Sequence, residues 1–229
     1  MRFRRAVVIL AVFLVLPCAA VSSLSFSIDE LDANASLLFL FSNPPTAAVA
    51  YPNLGIPPLI GVSIPFRQGG PYFLEAGVEF LGWYYEVPSN TSTVVITQAE
   101  SGTGFFTMGA IISLQGGLSF PLSPAVSLGG AIGLDFLLRF PFELQNTGST
   151  VKADEDAALS WFYGNGRFFY PETRFFLRWH VIDPVDFIVN LRAFYPVFHL
   201  WDGSGQPFWD QVMVSFGIGF GIKLRSTAK

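Results

Sequence analysis

The chain has 229 residues, enough for one large β domain or two small ones, and is 51% hydrophobic but only 13% charged, with a formal net charge of −4 and a mean hydropathy of +0.47. The acidic balance excludes ordinary nucleic-acid binding. After the N-terminus no uncharged apolar run reaches the ~18–20 residues that a spanning helix needs, so the apolarity must be carried on strands.

The chain starts with a basic stretch, Met1-Arg2-Phe3-Arg4-Arg5, then an apolar run from Ala6 to Leu16, then small residues at Cys18-Ala19-Ala20 and Ala20-Val21-Ser22. This pattern predicts a secretory signal peptide over residues 1–22 and a mature domain over 23–229. Cys18, the sole cysteine, lies in the leader, so the mature chain is expected to hold no disulfide. Losing Arg2, Arg4 and Arg5 makes the remainder three charges more acidic than the whole.

Eight segments with strand patterning follow, separated by Pro, Gly, Asn, Asp and Ser clusters. They are predicted at 34–42, 59–66, 72–87, 104–120, 125–144, 172–182, 185–201 and 209–225. Connections alternate in length. Arg67 to Pro71, Pro121 to Pro124 and Asp183-Pro184 are tight, whereas 43–58, 88–103, 145–171 and 202–208 are longer. Short turns at one end and long loops at the other are the asymmetry of a membrane barrel with periplasmic and extracellular rims.

Every clear strand alternates large apolar residues with small or polar ones, so it has two unlike faces. In the last strand Val214, Phe216, Ile218, Phe220 and Ile222 oppose Ser215, Gly217, Gly219 and Gly221. Alternation alone fits a soluble lipocalin-like barrel with its apolar face inside, or a membrane barrel with that face outside. Eight strands enclose a narrow interior, which the Phe, Leu and Ile rows would overfill. A soluble exterior would also be rich in Lys and Glu, and the polar rows here are not. Both points favour an all-β, antiparallel, up-and-down transmembrane barrel of eight strands. Aromatics at strand ends, among them Trp83, Tyr84, Tyr85, Phe105, Tyr195, Trp201 and Trp209 at one level and Phe66, Tyr72, Phe120 and Trp179 at the other, are read as two interfacial girdles.

Charges on the small-residue faces then point into the lumen: Glu75, Glu79, Asp135, Arg139, Arg174, Arg178, His180, Asp186, Arg192 and Lys223. Counting up from the short turns places Glu79, Asp135, Arg174 and Arg192 at mid-barrel and Glu75, Arg178, His180, Asp186 and Lys223 below them. Charges in a low-dielectric interior must pair. A salt-bridge network that plugs the lumen and a constricted pore lined by charge both require these residues.

Architecturally the mature chain resembles the small eight-stranded outer-membrane barrels of the OmpA, OmpX and OmpW type. Ser215, Gly217, Phe220 and Ile222 match, in order, that class's terminal signal for the barrel-assembly machinery, although the chain continues from Lys223 to Lys229 instead of stopping on an aromatic residue. The resemblance implies a bacterial outer-membrane location, with partners in the lipid bilayer or lipopolysaccharide and the assembly machinery. It implies a structural or small-solute-permeability role, with a surface adhesin or ligand-binding role through the long loops as the alternative. The 145–171 loop, with Lys152, Asp154, Glu155 and Asp156 and the aromatics from Trp161 to Tyr170, is the candidate binding loop or an extended hairpin. The acidic trio lacks calcium-loop spacing. His180 and His199 are the only histidines and carry no nucleophile motif, so no enzymatic activity is expected. Neither a phosphate-binding glycine loop nor a Cys/His cluster appears, so no cofactor and no metal are expected.

Overall fold

The computed structural model describes residues 28, 30–42, 53–67, 70–88, 94–96, 102–143, 151–203, 207 and 209–224. The predicted leader, Cys18 included, lies outside them. Ten strands and one α-helix are described: β1 (Glu30–Ser42), β2 (Asn53–Gly55), β3 (Pro58–Arg67), β4 (Tyr72–Pro88), β5 (Val95–Ile96), β6 (Gly102–Pro121), β7 (Val126–Glu143), α1 (Val151–Tyr163), β8 (Phe169–Ile182), β9 (Val185–Phe194) and β10 (Met213–Lys223).

Eight of these strands form the wall. Each pairs antiparallel with the next in the order β1, β3, β4, β6, β7, β8, β9, β10, and β10 pairs back onto β1 from Glu30↔Lys223 to Leu40↔Met213. That last ladder closes the barrel and removes the sheet edges. β2 and β5 are short additions on β1 and β4 beyond the wall. The β6–β7 turn is tied by the Val126 amide, which donates to the Ser123 hydroxyl (3.1 Å).

The apolar rows face outward. Phe80, Ile112, Ile132, Phe175, Phe216, Ile218 and Phe220 are all exposed, while Glu79, Asp135, Arg178 and Ser215 in the opposite rows are buried. An exposed apolar belt around a buried charged interior is the inverse of a soluble barrel, so the belt faces lipid. The glycines on β10 make room for large inward neighbours. A Cβ on Gly221 would stand 2.5 Å from Arg178 Nη1 and 2.6 Å from Asp32 Oδ1.

Several sequence expectations are corrected. The first wall strand begins at Glu30, four residues early, which brings Glu30 and Asp32 into the lumen. The strand expected over 185–201 stops at Phe194, because Pro196 enters a 3₁₀ turn at Val197–Leu200. The strand expected from Trp209 begins at Met213, after Gln211 takes a positive φ of 65°. The loop after β7 contains α1, a helix the strand reading missed. Trp83, Tyr85 and Phe105 point inward and are not girdle residues. Tyr85 and Phe105 are fully enclosed and Trp83 packs against the core, whereas Tyr84 faces out.

The interior is also not merely small and polar. Its upper half holds a continuous apolar core of Leu38, Leu40, Leu59, Leu81, Tyr85, Phe105, Ile111, Leu137, Phe194 and Met213, closed by Ala158 and Phe162 of α1. Below lies a small apolar cluster of Phe73, Ala131, Phe176 and Ile188, with Phe73 and Phe176 edge to face at 5.6 Å.

Candidate functional site: a charged lumen beneath a capped mouth

Inward positions two residues apart on neighbouring strands set the charges in layers. The lowest layer centres on Arg178 of β8. Its guanidinium donates to Glu30, to Asp32 Oδ2 (2.6 Å) and to Asp186 Oδ2 (3.3 Å). Arg67 backs Glu30 from 3.5 Å. At the rim His180 Nδ1 meets Asp186 Oδ1 (2.8 Å), and Lys223 Nζ lies 3.6 Å from the same carboxylate.

Above this, Arg174 bonds Glu75 (2.5 Å) and lies over the Phe176 ring. The next layer centres on Arg192 of β9, which donates to Glu79 and, through Nε, to Glu172 (2.5 Å), with Asp135 Oδ1 at 3.9 Å. Gln115 donates to the other Glu172 oxygen (2.8 Å). Three carboxylates thus surround one guanidinium. Both oxygens of Asp135 and one of Glu79 have no hydrogen-bond partner among the described groups. A space of about 10 Å³, room for about one water, opens between this layer and Arg174, lined by Asn34, Ser63, Ser113 and Asn190 among others.

Nine of the ten charges expected in the lumen therefore meet in these layers, with Glu75 pairing one layer higher than the counting placed it. Arg139 does not join them. It sits above, donating to the Arg167 carbonyl (2.8 Å) and the Tyr170 hydroxyl (3.3 Å), with Phe162 under its guanidinium at 4.7 Å. The sequence reading missed Glu30, Asp32 and Glu172. Glu172 shares the inward parity of Arg174 and was legible. Glu30 and Asp32 precede the apolar run that marked the strand. Of the terminal-signal residues, Ser215 and Gly217 face the lumen and Phe220 and Ile222 face lipid.

The mouth is closed from two loops. The β7–β8 ladder ends at Phe136↔Phe169, yet β7 continues to Glu143 against β6. On the exposed edge, Tyr163 of α1 takes the missing strand's place: its hydroxyl accepts from the Arg139 amide and donates to the Arg139 carbonyl, each at 2.9 Å. Pro141 has no donor to leave open. The β9–β10 loop locks onto the same turn. Arg167 pairs with Asp202 (3.2 Å) and lies 3.8 Å from the Trp161 ring centre, and the Trp201 indole donates to the Asn165 carbonyl (2.7 Å). Burial pushes the Arg167 guanidinium below its usual pKa, and Asp202 beside it opposes the fall. Both nitrogens of His199 are engaged, Nδ1 by Asp202 (3.2 Å) and Nε2 by the Asp210 carbonyl (2.9 Å). Glu155 and Asp156 stand exposed on α1, while the side chains of Lys152 and Asp154 lie outside the described residues.

Fold and interior together define a closed, eight-stranded, antiparallel transmembrane barrel, filled by ion pairs below and by an apolar core above. No family model matches the sequence, and no curated relative matches it. Among solved structures the chain is similar to Neisserial surface protein A (12% identity, 88% of this chain and 100% of that one, TM-score 0.48). It is also similar to the outer membrane protein OprG from Pseudomonas aeruginosa (8% identity, 85% and 96%, TM-score 0.48). A third is Ail, the attachment invasion locus protein of Yersinia pestis, solved with the heparin analogue sucrose octasulfate (10% identity, 86% and 100%, TM-score 0.42).

Proposed function

We propose that this protein is a structural barrel of the bacterial outer membrane that does not conduct at rest and displays its capped mouth at the cell surface. The observation that carries this reading is the filling of the lumen. Arg178 and Arg192 each bind carboxylates from several strands, and Leu38, Leu59, Ile111 and Phe162 occupy the space above them. The water-sized space lined by Asn34, Ser63 and Asn190 lies among the ion pairs, and an apolar constriction above it stops ions by dewetting.

The exposed surface of α1 and its neighbouring turn is then the part available to surface partners. Small-solute permeability is the second reading, favoured by the water-sized space and the unpartnered oxygens around Arg192.

Purified protein in planar bilayers decides between the two. The closed reading expects no conductance steps above background. Steps that persist in the wild-type chain would sink it and favour the pore.

A further inference from the structure

The outward apolar rows do not reach the same height around the barrel. On β7 the row runs Leu128, Gly130, Ile132, Leu134, Phe136, Leu138, Phe140, Phe142 with no polar residue, and on β6 it runs from Phe120 up to Phe106 in the same way. From Leu128 to Phe142 is about 46 Å of strand, or about 35 Å of height at a typical barrel tilt. On β10 the row from Val214 to Leu224 is about 33 Å of strand and about 25 Å of height. A membrane barrel's apolar band is usually ~25 Å tall.

The neighbouring strand β8 also stops lower than β7. On β8 the outward row is interrupted by Thr173, whose hydroxyl is 2.9 Å from the Tyr195 hydroxyl, and resumes at Pro171 and Phe169, where the strand begins. Thr173 pairs with Ile132 of β7. Phe169 pairs with Phe136, and above that pair the β7 row continues through Leu138, Phe140 and Phe142 with no β8 beside it. Met108, Phe140 and Phe142 there are about half exposed, and Tyr84 packs on Phe106 at 5.3 Å beside them. The row is continuous with the lipid-facing belt beneath it.

We infer that the upper outer face of β6 and β7 is a lipid-binding surface, on which acyl chains of the outer leaflet stand higher than they do along β8 to β10. The bilayer meets such a slanted belt by local thickening or by tilt of the barrel. The occupant is lipid because the face is uniformly apolar, carries no charge, and joins an existing lipid interface without a break.

Nitroxides placed by Met108→Cys, Phe140→Cys and Phe142→Cys, each in a Cys18→Ser background and in lipid bilayers, test this. Leu191→Cys on the short wall gives the lipid reference, and Asp156→Cys on α1 gives the aqueous one. The expected result is relaxation by dissolved oxygen equal to the Leu191→Cys reference, with loss of the nickel-chelate effect seen at Asp156→Cys. Nickel-chelate access at Phe140 and Phe142 would overturn the inference, because the face would then be in water. Protection from both relaxants would overturn it too, because a protein, such as a second copy, would then cover the face. Three sites keep the test open if one variant does not fold.

Discussion

Arg178 on β8 and Asp32 on β1 are joined by a 2.6 Å hydrogen bond although they lie 146 positions apart in the chain and have β9 and β10 between them in the wall. The bond crosses the lumen, and the same guanidinium holds Glu30 and Asp186. Removing it leaves three buried carboxylates without their main counter-charge. Arg178→Leu should therefore cost ~3–5 kcal/mol, read by urea unfolding in detergent micelles. Adding Asp32→Asn should recover part of that loss. A variant as stable as the wild type would show that the layer does not brace the barrel.

Gly221 is where β10 passes this layer. Its missing side chain is occupied by neighbours: a Cβ would also lie 2.7 Å from Glu30 Oε1. Gly221→Val forces Arg178 and Asp32 apart and should cost ~1–3 kcal/mol through overpacking. Loss of the compact, heat-modifiable gel band at temperatures where the wild type keeps it is the readout.

The two faces of β10 should respond in opposite ways. Ile218→Arg puts a charge in lipid and should cost ~2–4 kcal/mol near mid-membrane, measured by folding into lipid vesicles. Ser215 is fully buried and its hydroxyl has no hydrogen-bond partner among the described residues. Ser215→Ala removes an unsatisfied group and should be neutral or slightly stabilising in the same assay. Equal losses at both positions would mean the faces are wrongly assigned.

At the mouth, Tyr163 supplies both a donor and an acceptor to the backbone of Arg139. Tyr163→Phe leaves that amide and carbonyl open, a local cost of ~1–3 kcal/mol. Hydrogen exchange should quicken at the Arg139 amide while amides in the β1–β10 ladder stay protected. Unchanged exchange at Arg139 would show that the edge is sealed by something other than α1.

The sequence by itself determined the alternation, the tight turns and the strand count of the wall, because a period of two and a Pro or Gly break are local properties of the chain. It also settled which row meets lipid, since Phe, Leu and Ile rows from eight strands cannot share a narrow interior. Inward charges followed from parity alone wherever the strand boundary was right, as at Glu75, Glu79, Arg174 and Arg192.

Only the tertiary structure decided the rest. Partner choice depends on strand stagger around a closed barrel, so Arg174 meets Glu75, and Arg178 reaches across to Glu30 and Asp32, in ways that residue counting within one strand does not reveal. Tyr85 and Phe105 read as girdle residues until the upper lumen proved roomy enough to take them together with Leu38 and Leu81. Helix α1 hides in a loop because its apolar contacts, Ala158 and Phe162, are few and find their core only inside the finished barrel. The closed lumen is therefore a product of assembly: eight strands must first surround a space before charges below and side chains above can fill it.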